Sequence, residues 1–123
     1  MTRLLLVDKS AYVRGALGAD PDGEFCLCAI SRWELLFSAR SPKHYVQLES
    51  DLARFRELRM DAETFATAGT AQRELASQGR HRVPIPDLLI AACAQQHGAD
   101  VVHVDRHFDV LASVLHFHAV RLQ

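Results

Sequence analysis

Four acids in this chain stand where a chain tends to present a functional group. Asp8 closes the apolar run Leu4 to Val7, and Asp105 closes the run Val101 to Val104. Glu34 follows the second apolar segment, and Asp87 opens the most apolar stretch of all, Leu88 to His97. Carboxylates gathered in one place repel: two of them ~4 Å apart cost about 4 kcal/mol at an effective dielectric of ~20. A helix cap supplies only ~1 kcal/mol, so a converged cluster of this kind makes physical sense with a cation in it. Oxygen-only ligands suit Mg²⁺, with Mn²⁺ as a substitute. A divalent ion held by carboxylates can activate water, hold a phosphate and offset charge on a leaving oxygen. The reaction class implied is phosphodiester hydrolysis.

The elements that would position these acids can be read from the apolar pattern. Leu4 to Val7 is a continuous apolar run, as in strands buried on both faces of a parallel sheet. Ser10 to Leu17 reads as a short helix, and residues 19–23 (Ala-Asp-Pro-Asp-Gly) as a turn. Phe25 to Cys28 is a second strand, followed by a helix over Ser31 to Ala39. Ser41 and Pro42 supply the N-cap and first position of another helix. Its apolar residues Tyr45, Val46, Leu48, Leu52, Phe55 and Leu58 fall at helical spacing. Ala62 to Gln78 is a helix stopped by Gly79. Leu88 to His97 is one ended by Gly98. Val101 to Val104 is a strand, Phe108 to Leu115 a short helix, and Ala119 to Leu122 a last strand. The alternation predicts an α/β class with a mainly parallel central sheet flanked by helices. In such sheets ligands bind outside the carboxyl ends of the strands, where Asp8 and Asp105 stand.

Each acid also has a structural reading. Asp8 and Asp105 could be N-caps. Ser31-Arg32-Trp33-Glu34 matches the capping box, which would occupy Glu34. Asp87 suits the positive end of a helix dipole.

Bulk properties set the frame. A chain of 123 residues, 49% hydrophobic, fits one domain over 1–123 and can build a core without staples. No apolar run approaches the ~18 residues of a membrane helix, and charge arrives too early for a signal peptide. A cytoplasmic location is the default. Fourteen basic residues face fifteen acids, so the overall field does not hold nucleic acid. Twelve of the basic residues are Arg, the better bidentate phosphate ligand. Cys26, Cys28 and Cys93 form no disulfide framework and read as small buried hydrophobes.

With these residues in view, the chain resembles a known family. Leu5-Leu6-Val7-Asp8-Lys9-Ser10-Ala11 resembles the opening strand motif of PIN domains. Ile30-Ser31-Arg32-Trp33-Glu34-Leu35 resembles their second acidic motif, and Pro86-Asp87-Leu88-Leu89-Ile90-Ala91-Ala92 their third. Residues 101–109, Val-Val-His-Val-Asp-Arg-His-Phe-Asp, resemble the fourth. The order, spacing and total length are similar to the short stand-alone members, the VapC-type toxins of bacterial toxin–antitoxin pairs. The resemblance implies a PIN-like fold, Mg²⁺- or Mn²⁺-dependent endoribonuclease activity, a homodimer and neutralisation by a cognate VapB-type antitoxin. Asp8, Glu34, Asp87 and Asp105 fall on the family's acidic positions, as catalytic residues and metal ligands.

The fourth motif departs from the family pattern. His103 stands where Thr or Ser is frequent, and His107 where a second Asp is frequent. Asp109, one turn beyond Asp105, is a candidate outer ligand. The departures bear on a second metal more than on the first. As ligands, His103 and His107 would favour softer ions such as Zn²⁺ or Mn²⁺; otherwise His103 is a strand residue satisfied by hydrogen bonds and His107 a loop residue. Ser10 could position a water or a carboxylate, or cap a helix. Arg80, His81 and Arg82 form a basic loop that could grip phosphate, though a solvated loop also accounts for it. Trp33 could stack a base, but reads first as core, and Tyr45 and Phe55 read as packing.

Two rival functions fit less well. An aspartyl-phosphate enzyme wants a second acid two residues after Asp8, where Ser10 stands. A receiver-like module wants two adjacent acids, and Asp8 is followed by Lys9. A catalytically inactive PIN-like module that only binds a partner protein remains as the alternative.

Overall fold

The computed structural model describes residues 2–12 and 23–121. Five strands form one sheet in the order β3-β2-β1-β4-β5: β1 (Arg3–Val7), β2 (Gly23–Leu27), β3 (Arg56–Glu57), β4 (Asp100–His103) and β5 (Ala119–Arg121). All four pairings are parallel. The helices between them are α1 (Lys9–Tyr12), α2 (Ala29–Phe37), α3 (Pro42–Leu52), α4 (Ala62–Ser77), α5 (Ile85–His97) and α6 (His107–Leu111). This is the α/β class that the alternation predicts. Among the described residues no helix is long and apolar enough to cross a membrane.

The continuous apolar run of β1 is explained by its central place. Leu6 packs on one face with Cys26, Val101 and the buried side of α5, while Leu5 and Val7 pack on the other with Ala11 and Val102. Strand side chains alternate, so a strand covered on both faces needs apolar residues at every position. Leu27 joins Leu35, Leu36, Leu48 and Leu52 in a third cluster that seats α2 against α3.

α5 is the helix on which the site depends. It buries Leu88, Ile90, Ala91, Ala92, Cys93 and Ala94, which explains its near-continuous apolar character. Pro86 falls in its first turn, where a missing N–H costs nothing. At its end Gly98 adopts φ +64°, and the Ala99 N–H donates back to the Ala94 carbonyl at 2.9 Å, which satisfies the last turn. α4 lies alongside; Thr64 in its first turn donates to Gln96 of α5, and Gln96 Nε2 donates to Asp61, the α4 N-cap, at 2.9 Å. The three cysteines are buried in the core, as expected.

Several boundaries differ from the sequence reading. The helix expected over Ser10 to Leu17 begins at Lys9 and is described only to Tyr12; residues 13–22, including most of the expected turn, lie outside the described residues. The apolar periodicity of α3 does not carry the helix to Leu58. The chain leaves the helix after Leu52, and Arg56 and Glu57 pair with Cys26 and Leu27 as an edge strand. Two exposed charged residues give no strand signal; the Leu58 N–H donates to the Leu27 carbonyl at 2.8 Å, and Arg56 adds an ion pair with Glu24 of β2 at 3.2 Å. α6 is shorter than expected, ending at Leu111.

Candidate metal centre

The strand order places a switch point between β1 and β4, the strands from whose carboxyl ends the chain departs in opposite directions across the sheet. Asp8 follows β1, and Asp105 lies two residues beyond β4. The two ends are tied together. The Asp8 N–H donates to the Val102 carbonyl at 3.0 Å, and the Val104 N–H donates to Ser10 Oγ at 2.9 Å.

Asp8 is buried, with 8% of its surface exposed. Its Oδ2 accepts from the Ser10 N–H at 3.0 Å and from the Ser10 hydroxyl at 2.7 Å. The expected cap is therefore real, but it uses one carboxylate oxygen. Asp105 behaves alike: its Oδ1 accepts from the His107 N–H at 3.0 Å, closing the turn that starts α6. Cap and cluster are compatible, because a carboxylate has two oxygens with lone pairs to spare.

Glu34 is not in a capping box. α2 starts earlier than expected, with Cys28 as its N-cap; Ser31 Oγ accepts from the Cys28 N–H at 2.8 Å and donates to the Cys28 carbonyl at 3.1 Å. Glu34 sits in the second turn, partly exposed, and its charge is felt at Asp87.

Asp87 lies in the first turn of α5, 9% exposed, and its carboxylate accepts no hydrogen bond among the described residues. Burial foremost, then the charges of Asp8 and Asp105, push its pKa up to about 7; His107 pulls the other way, and Glu34 adds to the rise. The charges of the other three acids thus converge on Asp87.

His107, read from the sequence as a metal ligand or else a loop residue, is the first residue of α6, and its Nδ1 lies 2.9 Å from Asp105 Oδ1 and 3.3 Å from Asp87 Oδ2. One ligand atom each from Asp87, Asp105 and His107 falls within 4.8 Å of the others. The D-x-H spacing was the available signal, since an Asp that caps a turn folds the residue two positions on toward itself.

Other expectations fare differently. Asp109 does not join the cluster; it lies 3.6 Å from His103 Nε2 and 3.6 Å from the Arg121 guanidinium. His103 is fully buried on β4, and among the described residues neither ring nitrogen makes a hydrogen bond of good geometry, against the expectation that it is satisfied. Its ring packs at 5.2 Å from Phe108, and burial is the main cause that pushes its pKa down. Arg80, His81 and Arg82 are exposed. Phe55 packs edge-on against Tyr12 at 6.5 Å. Trp33 is not core: it is 60% exposed and Phe37 88%. Ile30, Trp33, Glu34 and Phe37 recur at helical spacing on one face of α2, opposite Leu35 and Leu36, which take the core. With Pro86 they line an open groove of about 340 Å³ beside the acids.

Comparisons with known proteins agree with this architecture. The family model described as PIN domain matches residues 6–114. The chain is similar to Ribonuclease VapC17 of Mycobacterium tuberculosis (strain ATCC 25618 / H37Rv), 37% identical over 116 residues that cover 89% of this chain and 87% of the relative. Ribonuclease VapC18 of the same strain is 40% identical over 102 residues, 80% of this chain and 72% of the relative. Among solved structures, VapBC-5 from Mycobacterium tuberculosis, a member of the VapBC family of toxin–antitoxin systems, superposes with a TM-score of 0.78. At 23% identity it covers 98% of this chain and 99% of that one, and it bears on the fold alone.

Proposed function

Because the chain belongs to the PIN domain family, we propose that residues 1–123 form a single-domain endoribonuclease, the toxin of a toxin–antitoxin pair acting in the cytoplasm. The observation that carries this reading is the convergence of Asp8, Asp87 and Asp105, with Glu34 beside them, whose charges add to burial in lifting the Asp87 pKa to about 7. Relatives at 37% and 40% identity named as ribonucleases support the substrate class.

The residues present fit a divalent cation. A buried Asp87 carboxylate without a hydrogen bond and an orphaned His107 Nδ1 are what an ion site leaves when described without its ion. Asp8, Asp87 and Asp105, with Glu34, would hold Mg²⁺ or Mn²⁺. Such an ion, when bound, supplies charge to polarise a phosphate and to lower the pKa of an attacking water. The chain's own residues do the positioning. Ser10 fixes the rotamer of Asp8 through Oδ2 and leaves Oδ1 outside that cap. The His107 N–H holds Asp105 through Oδ1, which keeps a lone pair to spare. Glu34, partly exposed beside the groove, would complete the acidic set.

Two surfaces suit partners. The groove of Ile30, Trp33, Phe37 and Pro86 opens next to Glu34, and we assign it to an apolar segment of a VapB-type antitoxin that covers the acidic site. Exposed Tyr45 and Val46 on α3 and Phe65 on α4 suit a homodimer contact. The test is cleavage of a structured RNA by the purified chain, with end mapping. Cutting with Mg²⁺ or Mn²⁺ that stops in EDTA supports the reading. Metal binding with no cleavage of total cellular RNA would leave a partner-binding module in its place.

A further inference from the structure

His107 stands at the point where the family pattern gives way to this chain's own sequence. Its ring nitrogen is held in place by the fold. The Asx-type turn at Asp105 sets the His107 backbone, with its N–H on Asp105 Oδ1 at 3.0 Å, and α6 continues from there with Phe108 locked in the core. Nδ1 then falls 2.9 Å from Asp105 Oδ1 and 3.3 Å from Asp87 Oδ2. That atom is out of contact with solvent, and neither contact has the geometry of a hydrogen bond. A protonated imidazole stapling two carboxylates would aim its N–H at one of them; this one does not.

The separations match another arrangement. Two donor atoms each ~2.1 Å from one octahedral ion, at right angles to each other, lie about 3 Å apart. Both distances from Nδ1 are close to that figure. Asp87, nine-tenths buried, has no hydrogen bond among the described residues and only the His107 ring at 3.3 Å beside its carboxylate.

Building on the metal-site reading above, we propose that His107 Nδ1 is a direct ligand of the cation, joining Asp87 and Asp105 in a mixed nitrogen–oxygen set that selects Mn²⁺ over Mg²⁺. Mg²⁺ demands hard oxygen donors and parts reluctantly with its waters. Mn²⁺ accepts carboxylate oxygen and, as a first-row transition ion, tolerates an imidazole nitrogen better than Mg²⁺ does. An all-carboxylate centre has less of this bias. The single substitution His107→Asp would restore an oxygen donor at the same position of the turn.

Pulsed electron paramagnetic resonance on the Mn²⁺-loaded protein, paired with calorimetric titration of Mn²⁺ and Mg²⁺, tests this without recourse to activity. The parent is expected to show ¹⁴N coupling to the bound Mn²⁺ and at least a tenfold tighter affinity for Mn²⁺ than for Mg²⁺. His107→Asp is expected to bind Mn²⁺ without ¹⁴N coupling and with a smaller Mn²⁺/Mg²⁺ ratio, its far-ultraviolet dichroism unchanged. Bound Mn²⁺ lacking ¹⁴N coupling in the parent would overturn the ligand assignment while leaving the carboxylate site intact. Coupling that persists in His107→Asp would also overturn it, by assigning the nitrogen to another histidine. If the parent binds neither ion, the metal-site reading and this inference fall together.

Discussion

The Ser10 hydroxyl donates to Asp8 Oδ2 at 2.7 Å while it accepts from the Val104 N–H at 2.9 Å. One side chain thus fixes the rotamer of the first acid and joins the ends of β1 and the β4 segment, the two sides of the crevice. The Ser10→Ala variant removes both bonds. We expect a stability loss of about 1–2 kcal/mol, read as a few degrees in thermal melts, and a fall in RNA-cleavage rate larger than that stability loss would produce. An unchanged rate in the folded variant would reduce Ser10 to a helix cap.

The raised pKa of Asp87 gives a pH dependence with a definite sign. A carboxyl whose folded pKa lies above its unfolded value contributes stability that is fully present below the unfolded pKa, and this is lost as pH rises through the folded one. For Asp87 the window runs from about 4, where carboxyls ordinarily titrate, to about 7. In EDTA the parent should therefore lose stability across that window relative to Asp87→Asn, which keeps the shape and lacks the charge. Parallel stability–pH curves for the two proteins would mean that burial and neighbouring charge do not raise the Asp87 pKa.

The exposed face of α2 yields a separable prediction. Trp33→Ala and Phe37→Ala remove apolar surface that is 60% and 88% exposed, so the melting temperature should move little. Binding of the antitoxin should weaken by tenfold or more, since a buried aromatic anchor is commonly worth ~2 kcal/mol or more at an interface, while RNA cleavage by the free chain stays near the parent rate. Unaltered antitoxin affinity in the double variant would move the partner to another surface.

Much of this architecture is legible in the sequence, for identifiable reasons. A strand buried on both faces must be apolar throughout, so Leu4 to Val7 announces both β1 and its central place. Gly98 marks the end of α5 because an αL residue is needed there. The four acids can be singled out because each borders an apolar run. What stays hidden depends on tertiary context. Arg56 and Glu57 become a strand only because β2 presents a free edge. The start of α2 at Cys28 depends on a Ser31 hydroxyl that turns back on the backbone, where the motif pointed to Glu34. Trp33 faces outward because Leu35 and Leu36 already fill the core side of α2. His107 reaches the acids through a turn whose closure no spacing rule makes certain.

The shared metal site is tested most directly by thermal melts of the parent and of Asp8→Asn, Asp87→Asn and Asp105→Asn, each in EDTA and in Mg²⁺ or Mn²⁺. Asn caps a helix about as well as Asp but carries no charge, so the substitutions separate the two roles. The parent should gain stability from the ion by linkage. Each variant should gain markedly less, while its stability in EDTA holds level or rises as repulsion among the acids is relieved. Equal metal-induced shifts in the parent and all three variants would contradict a cation held by these carboxylates.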